Sequence, residues 1–212
     1  MKINPTKYFH VDCGNTPALV QTPLWRAIYV GKFLCKVCNR LLPSRVGLDV
    51  YLECSERELD RREAACVLWH GGPLVVNSAL LDRIPATVRA RSFLVGKVFD
   101  VKDRELRGWQ SVIGKHCIVI RGVKNIEFKE CTGCRRNRYI CYDFPGYIAQ
   151  QPPKSLQIAE SNSSSLIMSE NIYTRILVQT GLRFRAEPLA VLSSPLDGLP
   201  ADIPCFRTFD GG

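Results

Sequence analysis

Two cysteine pairs are the residues best suited to chemistry in this chain of 212 residues. Cys35 and Cys38 stand in the stretch FLCKVCNRLL, and Cys131 and Cys134 stand in KECTGCRRNR. Two thiolates three positions apart can bind one Zn²⁺ when the chain between them folds into a tight knuckle, and two knuckles complete a tetrahedral site. The spacing therefore predicts a four-cysteine zinc site made by Cys35, Cys38, Cys131 and Cys134.

About ninety residues separate the two pairs, so the metal would join two distant segments of the chain. A metal bound by four thiolates has no open coordination position, and we expect it to stabilise the fold rather than to catalyse a reaction. Asn39 and Arg135, which follow the two pairs, fit turns whose backbone N–H groups point at sulfur. Gly133 is expected to ease the second knuckle by adopting a positive φ.

The ten cysteines leave other interpretations open. Disulfides need an oxidising compartment, and the N-terminal sequence lacks the apolar segment of a signal peptide. A redox-active dithiol, as in a thiol oxidoreductase, is an alternative for Cys35 and Cys38, but it leaves the second pair without a role. Cys141 or a histidine is an alternative fourth ligand. The isolated cysteines are expected to be small apolar core residues; they are Cys13, Cys54, Cys66, Cys117, Cys141 and Cys205.

The segments around the two pairs are mainly typical of short strands. NIEFKEC alternates between apolar and polar residues as it enters the second pair, and RYICYDF follows that pair as a further strand. Other strands are predicted from KYFHVD, GLDVYLEC, FLVGKVFDV and HCIVI. Between them, Ser55 and Glu58 have the spacing of a capping box, which predicts a helix over 55–68.

A strand–helix–strand pattern occurs twice, and it predicts a repeat at 73–101 and 165–192. The stretches LVVNSALLDRI and LIMSENIYTRI match at an offset of 92 residues, and their shared apolar positions are Leu74, Leu80 and Ile84 with Leu166, Ile172 and Ile176. Asn77 or Ser78 is expected to cap a short helix that ends before Pro85. Gly181 is expected to be the C-cap of the second helix.

Composition favours a single α+β domain over 1–212, with two domains as the alternative. Hydrophobic residues make up 46% and charged residues 23%, which is ordinary for a globular protein. The expected architecture is a mixed or antiparallel sheet with short helices, joined by the zinc-knuckle staple of four cysteines. No apolar run reaches the ~18 residues that cross a bilayer. We therefore expect no membrane contact and a cytoplasmic location.

Positive charge is concentrated in the segment 81–140. It holds 14 Lys or Arg and 6 Asp or Glu, a balance of +8 within the total of +9. Such a segment predicts an anionic partner, either nucleic acid or an acidic protein surface, with a solvated basic face as the alternative. The stretch RRNRYICY interleaves arginines with tyrosines, which can neutralise phosphates and stack on bases. One hypothesis is therefore a zinc-ribbon-type nucleic-acid-binding protein that uses 81–140.

No combination of residues in the sequence predicts an active site. HGGP is too short to cradle a phosphate, and no nucleophile elbow surrounds any serine. His10, His70 and His116 are expected to be packed or exposed rather than catalytic. The sequence therefore predicts a protein that is not an enzyme, with no catalytic residues and no cofactor other than zinc.

The chain has one Cys-x-x-Cys pair near the N-terminus and a second one past the middle. This layout resembles the double-CxxCG motif family of bacterial proteins. The C-terminal block SLIMSENIYTRILVQTGLRFRAEPL and the opening KYFHVD are similar to the same family, whereas Asn39 and Arg135 replace its trailing glycines. The family is associated with immunity in polymorphic toxin systems. The resemblance implies an immunity protein that binds and neutralises a cognate toxin, with the four paired cysteines as ligands of structural Zn²⁺. Since the chain is basic, the toxin is expected to present an acidic contact surface.

Overall fold

Short strands build two mixed sheets and a separate hairpin. The computed structural model describes residues 7–12, 14–15, 34–38, 48–60, 65–67, 73–122, 126–133, 137–141, 146–161, 165–180, 185–192 and 206–208. Its strands are β1 Tyr8–Asp12, β2 Gly14–Asn15, β3 Val50–Leu52, β4 Ala65–Val67, β5 Leu74–Asn77, β6 Phe93–Asp100, β7 Glu105–Gly114, β8 His116–Ile118, β9 Ile126–Glu130, β10 Asn137–Cys141, β11 Tyr147–Ile148, β12 Ile158–Ser161, β13 Leu166–Ser169, β14 Arg185–Val191 and β15 Phe206–Thr208.

Four helices lie between these strands in the described part of the chain. They are α1 Glu56–Leu59, α2 Ser78–Arg83, α3 Ala86–Ser92 and α4 Glu170–Thr180. Within the same residues, no helix has the length and apolar character needed to span a bilayer.

The strands pair mainly with antiparallel neighbours, and both sheets also contain parallel pairs. The first sheet has the order β11-β14-β1-β13-β12-β8-β15, and the second has the order β2-β4-β5-β7-β6-β3. Parallel pairing joins β12 to β8 and β11 to β14 in the first sheet, and β2 to β4 and β3 to β6 in the second. The hairpin consists of β9 and β10. The predicted α+β domain with mixed sheets and short helices is confirmed.

A central cluster of buried apolar side chains joins the two sheets through the helices between them. It comprises Val11, Leu74, Val76, Leu80, Leu81, Ile84, Phe93, Val112, Ile158, Leu166, Met168, Ile172 and Ile176. Because side chains alternate along a strand, Val75 points away from this cluster into a second-sheet cluster, and Ile167 points into a first-sheet cluster. Strands β5 and β13 are therefore buried on both faces.

The two segments with the shared apolar pattern occupy corresponding places in the two sheets. Strand β5 leads directly into α2 in the second sheet, and β13 leads directly into α4 in the first. The two helices contact each other, and all six matched apolar residues belong to the central cluster. The first segment differs because α3 is inserted before β6. Gly181 lies outside the described residues.

The helix predicted over 55–68 ends after one turn, and the prediction is wrong at 65–67. The capping box is present, since Glu58 Oε2 accepts a hydrogen bond from the Ser55 backbone N–H at 2.6 Å. Helix α1 nevertheless ends at Leu59. Asp60 Oδ1 then accepts a hydrogen bond from Trp109 Nε1 at 3.0 Å, and the residues 65–67 pair with β5 as strand β4. Pairing with the second sheet therefore overrides the helical pattern.

The segment 77–114 shows correct predictions, among them the strand β6, and two omissions. Asn77 Oδ1 accepts from the Ala79 N–H at 2.9 Å and caps α2, as expected. Pro85 follows the end of α2 and is also the N-cap of α3, a helix that the sequence did not predict. Strand β7 was also missed, although it pairs with both β5 and β6.

Candidate metal centre

The first cysteine pair is anchored to the core by the residue that precedes it. Leu34 is fully buried in the second-sheet cluster, which comprises Leu34, Leu48, Val50, Leu52, Cys54, Leu59, Val75, Val98, Leu106, Trp109 and Ile113. The chain then turns through Lys36 and Val37, whose side chains are exposed. The Val37 backbone N–H donates to Cys35 Sγ at 3.4 Å, so the turn itself directs a donor at the sulfur.

The second pair begins at the tip of the β9–β10 hairpin. Glu130 and Asn137 are the last cross-strand partners of this hairpin, and Cys131 follows Glu130 directly. Residues 132–133 continue as an exposed turn. The hairpin therefore presents Cys131 at its end, where it can meet the first pair.

Thiols from both pairs converge at one place. Cys35 Sγ and Cys131 Sγ lie 3.8 Å apart although 96 positions separate them in sequence, and the Cys38 Sγ lies within 4.8 Å of both. A disulfide needs about 2.05 Å between the sulfurs, and these three cysteines form none. Sulfurs at about 2.3 Å from a tetrahedral Zn²⁺ would be about 3.8 Å from one another. The three thiols are thus placed to hold a metal ion.

The environment of Cys35 favours the form that binds metal. Cys35 and Cys131 are each 5% exposed, and Cys38 is half-buried. Hydrogen bonds from the backbone of Cys38, and then from that of Val37, lower the pKa of Cys35 below its ordinary value, although burial acts in the opposite direction. A lower pKa increases the fraction of thiolate, which is the metal ligand.

Gly133 permits the close approach of the two segments. A Cβ at this position would lie 2.6 Å from Val37 Cγ2 and 3.0 Å from Cys35 Sγ. Its φ is not in the left-handed region, so the predicted reason for this glycine is wrong. The backbone of the second turn instead packs against the first turn, where a side chain would have no room.

Three of the four predicted ligands are brought together, and the fourth lies outside the described residues. Cys134, Asn39, Arg135 and His70 all fall in that undescribed part. Cys141 lies in β10 opposite Ile126, and the position of its side chain is not described. His10 and His116 do not belong to the thiol cluster found among the described residues. His10 instead shares a hydrogen bond of 2.5 Å between its Nε2 and Ser165 Oγ.

The isolated cysteines were expected in the apolar core, and two of them can be placed there. Cys54 and Cys117 are 7% and 9% exposed, as predicted. The side chains of Cys13, Cys66, Cys141 and Cys205 lie outside the description.

Several basic side chains of the segment 81–140 form ion pairs with carboxylates of the same segment. The pairs are Arg89 with Asp82 at 2.7 Å, Lys97 with Glu105 at 3.1 Å and Arg104 with Asp100 at 2.6 Å. Lys115 Nζ donates to the Ala90 carbonyl, and Arg121 is buried. The count of 14 basic side chains in the segment therefore overstates the number that are open to a partner.

A scan of the sequence against models of protein families finds no match, and neither does a search among curated proteins. The resemblance to the double-CxxCG family therefore stays a prediction, and the thiol cluster carries the functional argument.

Proposed function

We propose that this protein is a zinc-stapled immunity protein, which binds a cognate bacterial toxin in the cytoplasm and neutralises it without catalysis. The observation that carries the proposal is the 3.8 Å separation between Cys35 Sγ and Cys131 Sγ. This contact joins the two Cys-x-x-Cys motifs whose layout resembles the immunity-associated family.

Zinc is the metal that best fits the cluster. Thiolate ligands select soft or borderline metals, and tetrahedral sulfur sites are typical of Zn²⁺. Cys35, Cys38 and Cys131 would supply three ligands, and the spacing of the second pair makes Cys134 the fourth. The ion would hold the segment anchored by Leu34 against the β9–β10 hairpin. With four protein ligands, it would add stability and leave no position for a substrate.

Neutralisation would follow from stoichiometric binding of the toxin. The total charge of +9 supports a partner that is negative overall, because complementary charge speeds encounter and disfavours wrong partners. The staple would keep the hairpin in a fixed position for that encounter. The toxin would then be blocked by contact with a preformed surface.

Co-expression with the toxin encoded beside this protein tests the proposal. We expect the cells to survive and the two proteins to be recovered as a stable complex. Cys131→Ser should lose protection, whereas Cys117→Ala, which removes a buried thiol outside the cluster, should keep it. The proposal fails if no neighbouring toxin binds the protein and none is neutralised by it.

Nucleic-acid binding is the second candidate, and the charge balance of +8 in 81–140 is the observation that favours it. A gel-shift titration at increasing salt decides between the two, because phosphate contacts weaken steeply as salt rises. Absence of any shift at low ionic strength would remove this candidate.

A further inference from the structure

The three thiols of the metal centre differ in their access to solvent. Cys35 and Cys131 are each 5% exposed, whereas Cys38 is half-buried. Cys38 directly follows Lys36 and Val37, whose side chains are exposed. A small oxidant dissolved in water therefore reaches the Cys38 sulfur more easily than the other two sulfurs.

A second thiol lies close enough to react with an oxidised Cys38. The sulfurs of Cys35, Cys38 and Cys131 all lie within 4.8 Å of one another. Attack on an oxidised Cys38 sulfur would therefore need only a small movement of a neighbouring side chain. Redox-sensing cysteines commonly combine these two features, an accessible thiol and a resolving thiol beside it.

Cys35 is the better placed of the two possible resolving thiols. It shares one turn with Cys38, and the Val37 backbone N–H donates to its Sγ at 3.4 Å, which holds this sulfur within that turn. Cys131 comes from a segment 96 positions beyond Cys35. Closing a short loop costs less conformational entropy than closing a long one, so the disulfide within the turn is favoured once the two segments are no longer tied by a metal.

We propose that the thiol cluster is a redox switch, in which hydrogen peroxide oxidises Cys38 and Cys35 then forms a disulfide with it. The inference rests on the proposed function, because it adds regulation by an oxidant to the same zinc site.

The oxidation consists of two steps. In the first, the Cys38 sulfur attacks one oxygen of hydrogen peroxide, the O–O bond breaks, and the products are a sulfenic acid on Cys38 and one water molecule. In the second, the Cys35 sulfur attacks the Cys38 sulfur, the S–S bond forms, and the S–O bond breaks to release a second water molecule. The two thiols together lose two electrons and two protons, and the peroxide takes up both.

Formation of this disulfide would remove two ligands from the metal at once, because the thiolate is the form that binds metal. Cys131 would stay reduced, and the β9–β10 hairpin would no longer be tied to the turn of residues 35–38. A reducing thiol would reverse the change by thiol–disulfide exchange. The metal centre would thus open in peroxide and close again when the thiols are reduced.

Peptide mapping of the full-length, zinc-loaded protein tests the inference. Trypsin cleaves after lysine and arginine, so it places Cys35 in FLCK, Cys38 in VCNR, and Cys131 with Cys134 in ECTGCR. After one molar equivalent of hydrogen peroxide, a chromogenic chelator should detect released zinc. Alkylation and trypsin should then give FLCK linked to VCNR, with both thiols of ECTGCR alkylated. Dithiothreitol and zinc should remove the link and restore the bound metal.

Two further measurements identify the first thiol to react and control for the other cysteines. Dimedone, which traps sulfenic acids, should label VCNR when it is present during the oxidation. Cys117→Ala, which removes a buried thiol outside the cluster, should release zinc at the wild-type rate. Protein treated with chelator beforehand should give the same FLCK–VCNR link, so the mapping does not require a loaded site.

Three results would overturn the inference: zinc retained in peroxide with the cluster still reduced, FLCK linked to ECTGCR, or dimedone found on FLCK or ECTGCR and not on VCNR. The test of toxin neutralisation uses the reduced protein. Failure of the switch would therefore leave that test unaffected, and failure to neutralise a toxin would leave the peptide map unchanged.

Discussion

The central cluster and the clasp hold distant parts of the chain together by different means. The central cluster joins two sheets through thirteen buried apolar residues, with α2 and α4 packed between them. The clasp consists of residues 34–38 and 131–133, and its turns expose Lys36, Val37, Thr132 and Gly133 to solvent. Two short turns have little apolar surface to bury against each other. A metal ion bound by the thiols would stabilise the clasp, as burial of apolar side chains stabilises the central cluster.

This difference predicts that the two regions respond differently to loss of the metal. Stability of the central cluster should depend on packing alone, and stability of the clasp on bound metal. The variants below compare how the stability of each region depends on bound metal.

Cys131→Ser should have the largest effect. Free metal at a thousandfold excess over its Kd stabilises the folded state by ~4 kcal/mol, so a variant that cannot bind should lose about that much free energy of unfolding. Denaturant unfolding with zinc present measures the loss. In chelator, wild type and Cys131→Ser should unfold nearly together. A variant that retains both its metal and its stability would show that the clasp is not a metal site.

Leu80→Ala should cost about 3 kcal/mol, because it removes a fully buried side chain from the central cluster. The same loss should be measured with and without chelator. Arg83→Ala, at an exposed position of the same helix, serves as the control and should change the free energy of unfolding by less than about 0.5 kcal/mol. If chelator removed the effect of Leu80→Ala, the two regions would not be energetically separate.

Gly133→Ala should cost about 1–2 kcal/mol, because the added methyl group collides with Val37 and crowds Cys35 Sγ. Adding Val37→Ala should recover part of this loss, since it removes the nearer of the two contacts. Unfolding of the single and double variants in zinc measures both effects. Equal stability of Gly133→Ala and wild type would mean that the two turns do not pack closely.

Asp100→Asn, at the end of β6 and outside both regions, should have the smallest effect. The Arg104 backbone N–H lowers the pKa of Asp100, and hydrogen bonds from the Arg104 side chain and the Lys102 backbone N–H lower it further. A lowered pKa in the folded state stabilises the protein above the unfolded-state pKa of about 3.9, and this stabilisation is lost as the pH falls through the folded-state pKa. In chelator, the variant should therefore have a lower free energy of unfolding than wild type at pH 7, and this difference should disappear in acid. A difference that is independent of pH would contradict this.

Local signals in the sequence predicted local structure well. The pair spacing identified the candidate ligands, the Asn77 cap marked the start of α2, and the apolar pattern identified the strands β6, β9 and β10. Each of these features depends on residues a few positions apart, so the sequence contains them directly.

Features that depend on distant neighbours could not be predicted in the same way. The one-turn length of α1 is set by the pairing of β4 with β5, and the need for Gly133 is set by Val37 and Cys35. The meeting of the two cysteine pairs was predicted only because one zinc ion needs four ligands. The stacking of the Tyr51 and Phe99 rings was not predicted, because 48 positions separate these residues and neither lies in a recognisable motif.

Zinc-edge X-ray absorption, combined with metal analysis of the purified protein, tests the central claim most directly. The account predicts one zinc ion per chain and a coordination shell of four sulfurs at about 2.3 Å. Protein purified without tightly bound zinc, or a shell made mainly of oxygen and nitrogen, would contradict it.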